Sequence, residues 1–185
     1  MKNVKNKLNM TLEFELNEHD FLDFQLFTAS QSKRINRKKV NGWIFVTLFF
    51  IGLSVFLYFD YDGFFAIYFG VTAIVCGLFY PKYFVWRYKK HYKTYIKENY
   101  SYRFGEKAYI EINNQTIFAK DKIGEGTINI SEIEKIDETE KHFFVKMKSG
   151  VSLIIPKYKI QTSDEVRGKF EALGFSVNKV ICKWK

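Results

Sequence analysis

Residues 42–59 read GWIFVTLFFIGLSVFLYF and residues 63–80 read GFFAIYFGVTAIVCGLFY. Neither stretch holds a charged side chain, and only Asp60, Tyr61 and Asp62 separate them. At about 1.5 Å rise per residue, a helix of this length crosses most or all of a hydrocarbon core of about 30 Å. The expected fold is therefore an α+β membrane protein: a two-helix transmembrane hairpin with a small soluble domain on its flanks. The pair of runs begins near residue 42, too deep for a signal peptide, and the second run follows at once.

The charge pattern orients the hairpin. The 185-residue chain carries a formal net charge of +9, and the excess peaks beside the apolar runs. Lys33, Arg34, Arg37, Lys38 and Lys39 precede the first run; Lys82, Arg87, Lys89, Lys90 and Lys93 follow the second; the connecting turn has neither Lys nor Arg. The positive-inside rule then predicts that both termini are cytoplasmic and that the Asp60–Asp62 turn lies outside. Two readings fit the basic flanks. They orient the hairpin, or they also bind anionic lipid head groups at roughly 1 kcal/mol per well-placed cation. Aromatic residues interleave with the second cluster in YFVWRYKKHYKTY, residues 83–95. Beside a membrane span this pattern predicts an interfacial belt and no nucleic-acid partner.

The absence of Asp, Glu, Lys, Arg and His from both runs argues against a pump or ion pathway, which needs such groups. The second run does carry small residues at helical spacing: Ala66, Gly70, Ala73 and Gly77. Such a stripe lets helices approach closely. It predicts packing against the first span near Gly52 and Ser54, or alternatively a homo-oligomer or a partner's span.

Outside the hairpin the pattern changes. Met10–Leu16, MTLEFEL, alternates as a half-buried strand. Asn17 suits a helix N-cap, with Glu18 and Asp20 in the first turn and a helix expected to Lys39. The second span is expected to continue past a kink at Pro81 into a basic, aromatic helix ending near residue 99. From Tyr100 onward, strands are expected at 101–104, 108–112, 115–120, 127–130, 142–148 and 151–156, with a helical turn at 131–134. Ser149-Gly150 reads as a hairpin turn. Ser163 is expected to cap a last helix whose apolar face is Val166, Phe170 and Leu173, ended by Gly174. Short antiparallel strands closed by a C-terminal helix follow the order of a pleckstrin-homology-like barrel. The N-terminal strand is expected to pair with this C-terminal sheet. The predicted divisions are 1–39 (strand and amphipathic helix), 40–83 (hairpin, spans 42–59 and 63–81), 84–99 (juxtamembrane helix) and 100–185 (cytoplasmic domain).

Three segments carry a family likeness: FELNEHDFLDFQLF at 14–27, the hairpin, and TINISEIEKIDETEKHFFVKMKSGVSLIIPK at 127–157 followed by DEVRGKFEAL at 164–173. In order and spacing the chain resembles the YcxB-like family of bacterial membrane proteins. The family's tryptophan three positions before the residue matching Ile133 is replaced here by Ile130. The resemblance implies a bacterial inner-membrane location and implies little about chemistry.

No catalytic signature is present. His19, His91 and His142 fall on separate elements, and no HExxH, CxxC, nucleophile elbow, P-loop or dinucleotide fingerprint occurs. No metal and no cofactor is expected. Glu132, Glu134, Glu138 and Glu140 form an acidic run, but Lys135 and Lys141 interleave it. Cys76 lies inside a span and Cys182 near the C-terminus, so they are not expected to pair. The leading expectation is a non-catalytic cytoplasmic binding domain for a protein, peptide or lipid head group, held at the membrane by the hairpin. The alternatives are immunity against a membrane-active or secreted toxin, or an enzyme acting on lipid.

Overall fold

The computed structural model describes residues 9–60, 63–182 and 184. Tyr61 and Asp62 of the acidic turn lie outside the described residues. The element order is β1 (Met10–Glu15), α1 (Glu18–Gln31), α2 (Lys33–Asp60), α3 (Gly63–Tyr100), β2 (Lys107–Ile112), β3 (Thr116–Lys120), β4 (Glu125–Asn129), β5 (Ile133–Glu138), β6 (His142–Met147), β7 (Ser152–Pro156), α4 (Ser163–Ala172) and β8 (Val177–Lys179). The chain divides into two compact units, residues 1–25 with 93–183, and 26–92 with 184–185.

In the first unit, β1–β4 form an antiparallel meander in the order β1-β2-β3-β4. The N-terminal strand joins this sheet as expected, with Met10 opposite Ile112 and Glu15 opposite Lys107. The chain therefore leaves one sheet through α1, α2 and α3 and returns to the neighbouring strand. The alternation of MTLEFEL puts Leu12 and Phe14 on the buried face with Ile110, Ile112 and Ile117. The second sheet runs β7-β6-β5-β8. Strand β6 is buried along almost its whole length. Phe143 and Val145 point one way, while His142 and Phe144 meet α1, where Phe24 lies 5.4 Å from the Phe144 ring. Helix α4 buries Val166 and Phe170 and ends at Gly174, whose φ of 87° only glycine adopts freely. The N–H of Phe175 returns to the carbonyl of Phe170, closing a Schellman turn.

Five sequence expectations need correction. The helix expected over 18–39 breaks at Ser32, because the Ser32 hydroxyl caps the N–H of Ile35 and Asn36 Nδ2 donates to the carbonyl of Ser30. Residues 101–103 form a 3₁₀ turn rather than a strand, leading into Gly105 at a φ of 71°. The helical turn expected at 131–134 forms as a 3₁₀ turn one residue earlier, at Ile130–Glu132, and residues 133–138 run on as strand β5, which was not expected. Ile133 and Ile136 are both buried at a helix-like spacing because the register shifts between Ile133 and Lys135. The domain is not wholly antiparallel: β8, with no alternation to mark it, pairs parallel to β5 through its backbone. Ser163 is the first residue of α4, and Thr162 occupies the cap position without a side-chain hydrogen bond.

In the second unit, α2 and α3 are long and apolar enough to cross a membrane. Helix α3 runs unbroken through Pro81. Proline at 81 removes the N–H that would bond the carbonyl of Gly77. Trp43 Nε1 donates to that carbonyl at 2.8 Å and takes the lost partner's place. Trp43→Phe keeps the aromatic bulk and orphans the Gly77 carbonyl. Its expected cost is about 1 kcal/mol, read as a lower unfolding midpoint in lipid or detergent.

Candidate functional site

The small residues of α3 face α2. Ala66 and Ala73 are buried. Ser54 Oγ donates to the Ala66 carbonyl at 2.6 Å, and a Cβ added at Gly70 would lie 3.2 Å from the same oxygen. One turn further along, Phe50 of α2 stacks on Phe69 of α3. The backbone approach that the stripe permits is thus used within the chain, with Gly77 set against Thr47.

The basic residues that flank the apolar stretches remain mostly exposed: Lys33, Arg34, Arg37 and Lys38 on α2, and Lys82, Arg87, Lys89, Lys90 and Lys93 on α3. Lys39 is half-buried and sits 5.8 Å over the ring of Trp184. Trp184 itself is buried edge-on against Phe84 and Tyr88 of α3. These two rings belong to a ladder in which Tyr80, Phe84, Tyr88 and Tyr92 touch at successive i, i+4 steps. The run of aromatics at 83–95 was legible in the sequence; the ladder reaching back to Tyr80 and the return of Trp184 to it were not.

Two buried polar clusters hold the first unit together, and both escaped sequence reading because their members come from distant elements. In one, Asn17 and Asp20 cap α1 reciprocally. Asn17 Oδ1 accepts from the N–H groups of His19 and Asp20, and Asp20 Oδ2 accepts from the Asn17 N–H at 2.8 Å. The other Asp20 oxygen accepts from His142 Nε2 and from the Tyr158 hydroxyl, each at 2.7 Å. A carboxylate has no proton to give, so the ring proton of His142 sits on Nε2. His142 Nδ1 looks toward Asp23 at 4.0 Å. Burial pushes the Asp20 carboxyl up, but the bonds from His142, the Asn17 backbone and Tyr158 outweigh it and hold it below its ordinary value. Burial and the neighbouring carboxylate push the Tyr158 hydroxyl up to about 12.

In the other cluster, Glu138 of β5 accepts from Arg167 through both of its oxygens and from Lys157. This fork ties α4 to the sheet. Burial raises the Glu138 carboxyl, and the two cations more than reverse the effect. Glu134 pairs with Lys146. The acidic run therefore spreads over separate partners, and among the described residues no three His, Cys, Asp or Glu side chains group as a metal site.

One concave feature of the first unit is a cleft of about 440 Å³. Phe14 comes from β1 and Leu16 from just beyond it, Phe21 and Phe24 from α1, Ala108 and Ile110 from β2, and Leu153 and Ile154 from β7. Ala108 and Ala119 are small where their neighbours are large, which leaves the space open. At the mouth, Arg103 pairs with Asp121 at 2.5 Å and Lys122 with Glu106. The Arg103 guanidinium also covers the rings of Phe21 and Tyr100. Apolar walls with a few fixed polar groups are the makings of a ligand site, and the volume falls in the usual range of about 300–1,000 Å³. His142 and Glu138 are not part of this wall. The cleft thus presents surface for binding and none of the buried proton-handling groups.

Residues 112–173 match the model of the family described as YcxB-like protein. The match begins at the last residue of β2 and ends just beyond α4, so it covers about a third of the chain and spans both sheets. No curated protein and no solved structure gives a significant match.

Proposed function

We propose that this chain, with its YcxB-like segment at 112–173, is an integral membrane protein of the bacterial inner membrane that displays a non-catalytic binding domain in the cytoplasm. The observation that carries the reading is the arrangement of α2 and α3. The small residues of α3 meet Ser54 and Thr47 of α2, not the exposed Gly52, and the large apolar side chains of both helices point outward, Phe45, Phe59 and Phe64 among them at over 70% exposed. Such an outer surface suits lipid tails and would aggregate in water. Helix α3 has 38 residues and spans about 57 Å, well beyond a core of about 30 Å. Its basic and aromatic second half thus extends into the cytoplasm with Lys33–Lys39 of α2. There the cations orient the protein and meet anionic lipid.

The domain is a pleckstrin-homology-like barrel with the hairpin inserted between its first and second strands. Seven strands in two sheets followed by α4 support this reading. The cleft is the binding site. An immunity role drew on the small-residue stripe as a docking face, and α2 occupies that face. A lipid-modifying enzyme would need acid–base groups free to act at the cleft, where Asp121 and Glu106 are instead engaged by Arg103 and Lys122.

The native Cys182 tests the topology. A membrane-impermeant maleimide should leave Cys182 unmodified in intact spheroplasts and modify it in inside-out vesicles, with Asp62→Cys showing the reverse pattern. Labelling of Cys182 from outside would sink the assignment.

A further inference from the structure

The cleft of the first unit owes its space to a taper across one sheet. The register sets Leu12 of β1, Ile110 of β2, Ala119 of β3 and Gly126 of β4 in one row. Members of a row project from the same face of a sheet. Side chains therefore shrink from β1 to β4, and a Cβ added at Gly126 would meet nothing within 4 Å. The neighbouring row repeats the step, with Phe14 opposite Ala108. Phe21, Phe24 and Gln25 stand at i, i+3 and i+4 on α1, so one face of that helix lines the same space.

Every charged side chain on the wall is already engaged. Arg103 holds Asp121 Oδ2 at 2.5 Å, and the N–H groups of Ile123 and Gly124 donate to Asp121 Oδ1. Lys122 holds Glu106, and Lys120 holds Glu125 at 2.9 Å. A charged ligand would give up its hydration here and meet no free counter-charge of either sign. The side-chain groups that the wall leaves unpaired are neutral. The Gln25 amide and the Ser152 hydroxyl both line the cleft and have no hydrogen-bond partner among the described residues. The amide offers two donors and an acceptor, and the hydroxyl adds one donor. Beside Phe21, Phe24 and Ile154 these groups gain from a ligand that pairs with them.

We infer that the cleft binds a small uncharged amphiphile: an aliphatic or aromatic body carrying one hydrogen-bonding group, such as an amide, a carbonyl or a hydroxyl. The body fills the taper over Ala108 and Ala119 against Phe14, Phe24 and Ile110. Its polar group pairs with the Gln25 amide. The ion pairs at the mouth stay closed on one another and select against ligands of either charge. The inference deepens the binding-domain reading and rests on it.

Methyl NMR of the full chain in nanodiscs tests this through Ile110, Leu153 and Ile154, which line the cleft. The probe is phenylnaphthylamine, which is uncharged and carries one amine. It should shift these three sets of methyls saturably. Anilinonaphthalene sulfonate has the same rings and amine plus one negative charge, and should bind there about tenfold or more weakly. Gln25→Leu should weaken phenylnaphthylamine about fivefold, one neutral hydrogen bond's worth. Ala119→Leu fills the taper and should remove the saturable shift. The methyls of Val145 and Ile155, both 0% exposed, report that this variant is still folded. Sulfonate binding as tight as that of the neutral compound, unchanged affinity in Gln25→Leu, or saturable binding that survives Ala119→Leu overturns the proposal. Tight sulfonate binding at these methyls would still leave the cleft a binding site, whereas no saturable shift with either compound sinks that reading as well.

Discussion

Asp20→Ala should be the most damaging single substitution in the first unit, lowering its unfolding free energy by about 3–5 kcal/mol. The Asp20 residue is 1% exposed and takes bonds from three groups, among them His142 at 2% exposed. Removing the carboxylate leaves His142 and Tyr158 without their acceptor and opens the cap of α1. Asp20→Asn keeps the shape and some of the bonds, and should cost about half as much. The pH dependence follows from the depressed folded-state value. The contribution of Asp20 is present above its unfolded value near 3.8 and is lost as pH falls through the lower folded value. Thermal unfolding followed by near-ultraviolet circular dichroism should therefore show the wild type and Asp20→Asn converging as the solution is acidified below about pH 4. A constant gap down to pH 2 would contradict a carboxylate role for Asp20.

Glu138→Gln should follow, at about 2 kcal/mol. Glu138 is buried, but the Arg167 and Lys157 side chains are 26% and 19% exposed, so solvent softens the loss of their partner. The substitution frees α4 from β5 while leaving Val166 and Phe170 in the core. The sign again is that of a depressed carboxylate: the stabilisation holds above about 4.5 and disappears in acid. A double-mutant cycle with Arg167→Gln measures the share carried by the fork. A coupling indistinguishable from zero would show that α4 is held by its apolar face alone.

The elements most legible in the sequence were those with a regular local period. MTLEFEL alternates, so β1 and its buried face could be read, as could α2 and α3 from their unbroken apolar length. Asn17 was readable as a cap because the cap is made within three residues. Strand β5 was missed because a bulge places its buried Ile133 and Ile136 three apart, which breaks the alternation that marks a strand. Strand β8 was missed because its pairing is made by backbone groups that have no side-chain signature.

The candidate site was less legible still. The sequence shows His142 as one of three scattered histidines and Asp20 as one acid in a helix's first turn. They meet across 122 residues. The cleft depends on which face of each strand turns inward and on where Ala108 and Ala119 fall opposite larger neighbours. Local period, charge asymmetry and apolar length by themselves determined the two long helices, their expected orientation and most of the strands, because each is a property of neighbouring residues. Only the tertiary structure decided that Asp20 and Glu138 are buried anchors and that β7 borders a cleft, because each depends on residues brought together from distant parts of the chain.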